Sequence, residues 1–259
     1  MKPLMAWTRI YSEDEPQRVN RWLAQSGVCS RREAETLIAQ GLVTIDGELV
    51  SDAGRKIEPG QTLTLADAAG ARLDSALTVI LHKPVGVVSA QPEPGQVPAV
   101  RLLTREALVG RSPSIPGRDT RLAPVGRLDK DSRGLLILSE DGVIAKAIIG
   151  PESKLEKEYR VAVMGEITEA KLARLRHGLE LDGRKLRPAD VSMISEQRMR
   201  IVLREGRNRQ IRRMCELVEL KVVDLFRVRV GPIDLGDMKE RRWRVLTTEE
   251  RELLLAEAF

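Results

Sequence analysis

Aromatic side chains are scarce in this chain and make up 3% of its residues. This shortage argues against a binding site that relies on many stacking platforms. Cysteine and histidine are also rare, with two of each. The two cysteines lie far apart and the two histidines do not complete a closely spaced ligand set. The sequence therefore predicts neither a disulfide framework nor a metal site, and both cysteines are expected to be buried.

Long apolar runs are also absent. Nowhere do about 18 apolar residues follow one another, which is the length needed to span a membrane. The N-terminal segment MKPLMAWTRIYSEDEP has no uninterrupted apolar core of the kind found in secretory signals. Apolar residues make up 42% of the chain and charged residues 31%, a balance typical of globular proteins. We therefore expect a cytoplasmic protein that does not associate with membranes.

The net charge of +5 is unevenly distributed along the chain. Residues 1–77 contain 9 Lys and Arg against 11 Asp and Glu, whereas residues 78–259 contain 34 against 27. A basic surplus of this kind predicts an anionic partner, and nucleic acid is the first candidate. Composition alone fits a small anionic molecule equally well.

The sequence of the N-terminal quarter predicts a series of short helices and strands. Residues 1–16 show neither a helical nor a strand period, so we expect a flexible tail. Residues 19–26 have the spacing of a short amphipathic helix, and the SRRE segment at 30–33 has the spacing of a capping box that opens a second helix. Asp-Gly within residues 42–50, between two short apolar segments, indicates a β-hairpin.

Two cations occupy the start of the second predicted helix. Arg31 and Arg32 would lie in its first turn, where the helix macrodipole disfavours positive charge. They either pair with Glu33 or Glu35, or form a phosphate site together with the exposed helix amides, and spacing alone does not decide. The ordered set of helix, SRREAE helix and V-x-x-D-G hairpin resembles the S4 RNA-binding module. This resemblance implies an S4-like domain over residues 17–65 and favours RNA contacts by both arginines.

The remaining part of the chain has a different pattern of predicted secondary structure. Residues 66–77 are small and polar and are predicted to be a linker. Residues 78–259 contain longer strands separated by hairpin-length turns, with fewer helices. We therefore predict an α+β protein whose second domain has a mixed, mainly antiparallel sheet and peripheral helices. Residues 91–124 contain six irregularly spaced prolines, which indicates either an insertion or a substrate-contacting loop.

The charged segment GRLDKDSRGL occupies residues 126–135, just ahead of an apolar strand. Asp129 and Asp131 lie two residues apart, and paired carboxylates suggest a glycosidase. The scarcity of aromatic rings argues against that reading. The three neighbouring cations would also keep both acids ionised rather than supply a proton donor. On spacing alone, a charged surface turn remains the alternative.

A second charged segment, LREGRNRQIRRM at residues 203–214, contains five arginines. Asn208 is predicted to cap a helix whose apolar residues follow i, i+3, i+4, i+7 spacing from Ile211. Arg212 lies beside that apolar face, so its guanidinium is expected to be partly buried and to need an acidic partner. An ordinary exposed basic helix is the alternative.

Read together, the motifs resemble those of one enzyme family. GRLDKDSRGLLILSEDG resembles the GRLD motif of the pseudouridine synthases of the RsuA/RluB/RluE/RluF group, and EGRNRQIRRM resembles their third motif. KEYRV at 157–161 resembles the segment that supplies a tyrosine in that family, and HKPVG at 82–86 resembles its opening K-P-x-G. The family usually carries an S4 module. The resemblance covers roughly residues 17 to 250 in order and is closest to the RluF type, which acts on large-subunit ribosomal RNA.

The resemblance implies an RNA pseudouridine synthase, which breaks the N1–C1′ bond of a uridine, turns the base and rejoins it through C5. Asp129 resembles the catalytic aspartate, which either attacks C1′ or acts as a base at the sugar. Tyr159 would stack on the uracil and could take part in proton transfer, and Arg212 would form an ion pair with Asp129. Arg127 would hold the space left by the flipped base, and Leu203 would line the uracil pocket.

The same resemblance implies further RNA contacts from Arg207, Arg209 and Arg213, with no cofactor and no metal. The expected partner is 23S ribosomal RNA or an assembling ribosomal subunit, with tRNA open as a second substrate, and the protein is expected to act as a monomer. The alternative is a non-catalytic RNA-binding or ribosome-assembly factor on the same scaffold. The presence of Asp129 favours the enzyme.

Overall fold

The computed structural model describes residues 7–117, 120 and 122–258. The chain separates into two compact units, one of residues 1–77 with 140–146 and the other of residues 78–139 with 147–259. None of the described helices is long and apolar enough to cross a membrane.

The first unit is built from short helices and short strands. Its elements are β1 (Thr8–Ile10), β2 (Gln17–Arg18), α1 (Val19–Gln25), α2 (Arg31–Ala39), β3 (Val43–Ile45), β4 (Glu48–Leu49), β5 (Lys56–Ile57), β6 (Thr62–Leu65) and α3 (Asp67–Asp74). Four strands form an antiparallel sheet in the order β1-β6-β3-β4, and β2 pairs with β5. The predicted pair of helices followed by a hairpin is confirmed.

Local interactions explain where α2 begins and how the unit is packed. The Ser30 hydroxyl accepts from the Glu33 amide at 3.2 Å, and the Glu33 carboxylate accepts from the Ser30 amide at 2.6 Å. This reciprocal pair is the predicted capping box. The buried Trp22 ring lies 5.6 Å from that of Trp7 and 5.3 Å from that of Tyr11, measured between ring centroids. Three of the seven aromatic residues of the chain thus pack together in this core.

The predicted flexible tail, residues 1–16, is partly folded. Thr8–Ile10 pair antiparallel with β6, and Tyr11 is 1% exposed. A three-residue strand is too short to show a period of two, which is why the sequence pattern missed it. The prediction is wrong for these residues, and residues 1–6 lie outside the described part of the chain.

The predicted linker, residues 66–77, also contains regular structure. Asp67–Asp74 form α3, in which Ala69 is fully buried. Small residues are common in linkers, but alanine also has the highest helix propensity. Most of the predicted linker is therefore a helix, and the segment belongs to the first unit.

The second unit is built on one large sheet. Its elements are β7 (Thr78–Lys83), a 3-10 helix (Ala99–Leu102), β8 (Ala123–Val125), β9 (Arg133–Ser139), β10 (Lys157–Met164), α5 (Glu169–Arg176), β11 (Glu180–Leu181), β12 (Arg184–Lys185), β13 (Asp190–Ser195), β14 (Arg198–Leu203), α6 (Gln210–Glu216), β15 (Lys221–Val230), β16 (Ile233–Asp234), β17 (Trp243–Val245) and α7 (Thr248–Glu257). Helix α4 (Gly142–Ile149) follows β9 in the chain and spans the boundary between the two units.

The sheet of the second unit has the strand order β13-β14-β10-β15-β9-β7-β17, with β8 added at β9 and β16 at β15. Among the described strand pairs of this sheet only β9 and β15 run parallel, and the others are antiparallel. The predicted mixed, mainly antiparallel sheet is confirmed. Leu135, Leu136, Ile137 and Leu138 of β9 are all fully buried, so both faces of this central strand are covered.

Gly134 sets the spacing between β9 and β15. Its φ is +111°, and a Cβ at this position would lie 2.2 Å from the Arg227 carbonyl oxygen. Only glycine allows that backbone conformation together with that approach. The glycine therefore brings Arg227 of β15 close to the chain that follows the GRLD segment.

The proline-rich segment, residues 91–124, is tied to the edge of the sheet. It contains the 3-10 helix, and the Val109 amide donates to the Trp243 carbonyl at 2.8 Å. The Trp243 indole in turn donates to the Thr104 carbonyl at 2.7 Å. Because Trp243 is fully buried, these bonds anchor part of the segment against β17. Contact with a substrate stays a prediction for this segment.

Candidate active site

A cavity of about 410 Å³ opens beside the loop between β8 and β9. Its lining residues come from four stretches of the second unit, at 126–132, 148–159, 203–211 and 225–227, together with Arg187. The volume lies in the range of about 300–1,000 Å³ that is usual for pockets that hold small organic groups. A single nucleoside therefore fits the cavity by size.

The two carboxylates of the GRLD segment occupy different places. Asp129 lines the cavity, whereas Asp131 is not among the lining residues. The side chain of Asp129 is 28% exposed and that of Asp131 is 47% exposed. The loop turns sharply here, since the Ser132 amide donates to the Asp129 carbonyl at 3.1 Å. Asp129 therefore faces the cavity and Asp131 does not. The two carboxylates are not arranged as a pair that acts on a common substrate.

Arg209 bridges both acids. It donates to the two carboxylate oxygens of Asp131, each at 3.1 Å, and its Nη1 atom lies 3.5 Å from Asp129 Oδ2. Its backbone is left-handed, with φ 49° and ψ 31°, a conformation uncommon outside glycine. Arg209 is also the residue that precedes α6, so the predicted cap at Asn208 is wrong.

Arg212 is buried beneath the same loop and is 7% exposed. It donates to the Asp131 carbonyl at 2.7 Å, and its Nε atom lies 3.3 Å from Asp131 Oδ2, close enough for charge attraction but not aligned as a hydrogen bond. The prediction of a buried guanidinium with an acidic partner is confirmed. The predicted partner is wrong, because among the described residues the carboxylate beside Arg212 is Asp131. Arg209, at the start of α6, takes the place next to Asp129.

These arginines hold Asp131 in its ionised form. Burial alone would raise the pKa of Asp131, but the hydrogen bonds from Arg209 and the charges of Arg212 and Arg209 outweigh burial. The pKa of Asp131 therefore lies below its usual value. Asp131 supports the loop through its charge, which makes Arg209 available at a defined position beside Asp129.

Tyr159 and Leu203 lie on adjacent strands and face the cavity. Tyr159 on β10 is 8% exposed and is paired with Ile201 of β14. Leu203 at the end of β14 is 3% exposed and lies opposite Lys157. Alternation along β10 places Lys157 on the same side as Tyr159, and all three cavity residues line the pocket.

Two buried cations in the cavity were not predicted as site residues. Lys157 is 9% exposed, and its Nζ atom donates to the Ile148 carbonyl at 3.4 Å. Burial, followed by the charge of Arg227, lowers the pKa of Lys157 to about 8. Arg227 is 2% exposed and donates to the carbonyls of Leu135 and Gly126, each at 2.8 Å. The sequence signal for both residues is a cation at an inward-facing position of an alternating strand.

The segment that follows β7 braces the loop around Asp129. The buried Ser89 hydroxyl donates to the Leu128 carbonyl at 2.6 Å and accepts from the Leu128 amide at 2.9 Å. The Gly86 amide donates to the Lys130 carbonyl at 2.8 Å. Both chain neighbours of Asp129 are therefore tied to this segment, which limits the freedom of the acid itself.

The lysine of the K-P-V-G turn is fully buried. Lys83 donates to the carbonyls of Pro84 at 2.9 Å and Val87 at 2.7 Å. Burial lowers the pKa of Lys83 to about 8, although the charges of Asp129 and Asp131 oppose the change. The lysine thus closes the turn from inside and leaves the backbone amide of the turn free to bind the loop.

Comparison with known proteins identifies the family. Residues 77–217 match the family described as RNA pseudouridylate synthase, and residues 17–63 match the S4 domain. The dual-specificity RNA pseudouridine synthase RluF of Escherichia coli strain K12 is 33% identical over 239 residues, which are 92% of this chain and 78% of RluF. The chain belongs to the RNA pseudouridine synthase family. An uncharacterized RNA pseudouridine synthase of Aquifex aeolicus strain VF5 is also 33% identical, over 90% of this chain and 91% of that protein.

The fold of the synthase agrees with this assignment. A crystal structure of a pseudouridylate synthase superimposes with a TM-score of 0.64 at 24% identity, covering 92% of this chain and 99% of that one. The predicted S4 module, the predicted synthase domain and the isomerase class are confirmed.

The remaining predicted RNA-binding residues of the second unit divide into two groups. Arg127, Arg207 and Arg209 line the cavity of the synthase, and Arg127 is exposed at its edge. Arg213 is not a lining residue. The group at the cavity is the one whose predicted RNA contacts the geometry allows directly.

Arg207 and Arg213 also have partners within the protein. Arg207 donates to the backbone carbonyls of the β11–β12 hairpin, at Leu181, Arg184 and Lys185, over 2.9 to 3.2 Å. Arg213 forms a two-bond ion pair with Asp182 in the turn of that hairpin, at 2.6 and 2.9 Å. Both arginines therefore fasten the hairpin to the arginine-rich segment, and RNA contact stays a prediction for them.

Arg31 and Arg32 lie in the first turn of α2 in the S4 unit, and both are exposed. Of the two acids considered as their partners, Glu33 serves the helix cap and Glu35 accepts from the Asn20 amide at 2.8 Å. The acids are therefore engaged elsewhere. Binding of phosphate by the two arginines stays a prediction.

The thiols of the synthase are unsuited to nucleophilic chemistry. Cys29 and Cys215 are both buried, as predicted. Burial raises the pKa of each thiol to about 12, so both are protonated at neutral pH. Within the described ranges, no group of three or more His, Cys, Asp or Glu is placed to hold a metal ion.

Proposed function

We propose that this synthase isomerises a uridine of ribosomal RNA, with 23S rRNA as the substrate, and that Asp129 is its catalyst. The observation that carries the assignment of the catalyst is that Asp129, and not Asp131, is the GRLD carboxylate lining the cavity. The S4 domain and the basic surplus of residues 78–259 support an RNA substrate. The rRNA class is supported by the resemblance to RluF.

The reaction needs the uridine outside the RNA stack, where its sugar and base can enter the cavity. Tyr159 would stack on the uracil and Leu203 would pack on its edge. Asp129 would act at the sugar, either by attack on C1′ or by removal of a proton. The N1–C1′ bond breaks, the base turns, and a C5–C1′ bond forms. The C5 hydrogen leaves as a proton while N1 gains one, so the composition of the RNA is unchanged.

Charge in the cavity supports this chemistry. Arg209 would hold the Asp129 carboxylate in place by charge attraction, and Asp131 would hold Arg209 in turn. Arg212 would act on the loop from below, as a positioning residue that does not reach the substrate. The buried cations Lys157 and Arg227 would stabilise negative charge on the detached uracil, because charge interactions are strong where water is excluded. Arg127, at the edge, would occupy the space left by the flipped base.

Substitution of the two acids tests the catalytic assignment. Asp129→Asn is expected to abolish release of tritium from C5-labelled uridine in rRNA while RNA binding persists. Asp131→Asn is the matched control, and it should reduce the rate much less because it changes the support of Arg209 and the charge beside Arg212 but leaves the Asp129 carboxylate in place. Equal activity in wild type and Asp129→Asn would overturn the assignment. A loss in Asp131→Asn as large as that in Asp129→Asn would favour a paired-acid mechanism.

Mapping of pseudouridines across the RNA of the host, with and without this gene, tests the substrate. Loss of a pseudouridine from 23S rRNA is expected. Loss confined to tRNA or to another RNA would contradict the rRNA proposal, and losses in both rRNA and tRNA would establish a second substrate. Binding of rRNA by the wild type without tritium release from any substrate would favour the non-catalytic assembly factor.

A further inference from the structure

A second groove, of about 460 Å³, adjoins the candidate active site. Arg187 and Arg204 line both the groove and the cavity, so the groove continues the site outward. Arg204 directly follows the cavity residue Leu203 in the chain. The whole groove lies within the second unit. A strand that leaves the cavity therefore has a continuous path along this surface.

The groove carries an excess of positive charge. Among the described residues, the charged ones that line it are four cations, Lys154, Arg187, Arg204 and Arg229, and two acids, Glu156 and Glu257. The side chain of Arg204 is 66% exposed, and Lys154 and Arg187 are also exposed. Such a set attracts an anion from solvent and leaves the guanidinium groups able to reach it.

Glu156 organises two of the arginines. It accepts from Arg204 at 2.8 and 3.1 Å through one oxygen and from Arg229 at 3.1 Å through the other. Arg229 is further held by the Gly231 carbonyl at 2.9 Å and by Glu158 at 3.3 Å. The hydrogen bonds from Arg204 and Arg229 hold the pKa of Glu156 below its usual value, so this acid is ionised at neutral pH. It orients the arginines and also offsets part of their charge.

We propose that this arginine groove, formed by Lys154, Arg187, Arg204 and Arg229, binds the phosphodiester backbone of the RNA strand next to the flipped nucleotide. The proposal rests on the proposed function, because a flipped uridine stays covalently joined to both neighbours and its strand must leave the cavity along the surface. Guanidinium groups bind phosphate oxygens through paired hydrogen bonds. None of the described residues that line the groove is aromatic, which favours recognition of the backbone over the bases.

Charge substitutions in the full-length protein test the groove. Arg187→Gln and Arg204→Gln are each expected to raise the Kd for a 23S rRNA fragment about five-fold, as loss of a phosphate contact weakens binding. Each should also reduce the slope of log Kd against log salt by about 0.7, the value for one phosphate of a single strand. Arg204→Lys keeps the charge and should recover the slope. Arg198→Gln, an exposed arginine at the start of β14, is the control and should leave Kd unchanged.

Glu156→Gln separates phosphate binding from a structural role. Removal of this acid frees positive charge in the groove, so binding should become about two-fold to three-fold tighter, opposite in sign to the arginine variants. Unchanged Kd and salt slope in an Arg187→Gln, Arg204→Gln double variant would overturn the proposal. Weaker binding by Glu156→Gln would also overturn it, because that result indicates that the pairs serve the fold. If the wild type binds the RNA without releasing tritium, the proposed function fails independently of these outcomes.

Discussion

Replacement of Ser89 by alanine tests whether the brace behind the catalytic loop positions Asp129. The Ser89 hydroxyl donates to the Leu128 carbonyl at 2.6 Å and accepts from the Leu128 amide at 2.9 Å. Ser89 is 6% exposed and Leu128 is also 6% exposed, so water has little access to the two backbone groups after the change. Ser89→Ala therefore removes both bonds without offering replacements.

Loss of these two hydrogen bonds should lower both the stability of the protein and its catalytic rate. One buried polar group left without a partner costs about 1–3 kcal/mol, so two such groups lower the free energy of unfolding by about 2–6 kcal/mol. The larger effect falls on the rate, because Leu128 directly precedes Asp129. A displacement of about 1 Å at a reacting group costs about 100-fold, and we expect kcat to fall between about 10-fold and 100-fold.

The assay combines urea denaturation with single-turnover tritium release, at a temperature where circular dichroism shows every variant folded. Ser139→Ala is the matched control, because its hydroxyl bonds the Thr78 hydroxyl at 2.7 Å in a buried position at the far end of β9. Its stability should fall while its kcat stays near that of the wild type. A Ser89→Ala variant with wild-type kcat, or with no more rate loss than Ser139→Ala, would refute the positioning argument.

Two further changes test the fold and the buried charge. Gly134→Ala places a Cβ 2.2 Å from the Arg227 carbonyl, at a φ of +111° that disfavours side chains, so the free energy of unfolding should fall by more than about 3 kcal/mol in urea denaturation. A fall below 1 kcal/mol, within the ~1 kcal/mol typical of an average substitution, would contradict the close approach of β9 and β15. Lys157 has a folded-state pKa of about 8, below its ordinary 10.5, so the unfolded chain binds more protons between these values and stability should rise with pH across that window. Lys157→Met should be more stable than the wild type below pH ~8. Its stability should increase less with pH, because only the buried Lys83 would still contribute to the increase. An unchanged pH profile in denaturation experiments would contradict the burial of a charged Lys157.

Short-range rules were sufficient for much of the S4 unit. Ser30 and Glu33 are three residues apart, and Asp46 is next to Gly47, so each signal is contained in one turn of chain. The strand Thr8–Ile10 was not predicted, because it forms by pairing with β6, more than 50 residues later, and its own residue pattern does not indicate a strand. Helix α3 was not predicted, because small residues are compatible with both linkers and helices. Only the packing of Ala69 distinguishes the two.

The sequence by itself determined the family, the order of the two domains and the identity of Asp129, Tyr159 and Leu203 as candidates, because these depend on motifs in chain order. Only the tertiary structure decided which arginine accompanies which acid. Arg209 and Asp131 are 78 residues apart, and their contact depends on where α6 begins and on how the arginine-rich segment meets the GRLD loop. Ion-pair partners are therefore set by the packing of distant segments, which no local pattern in the sequence contains.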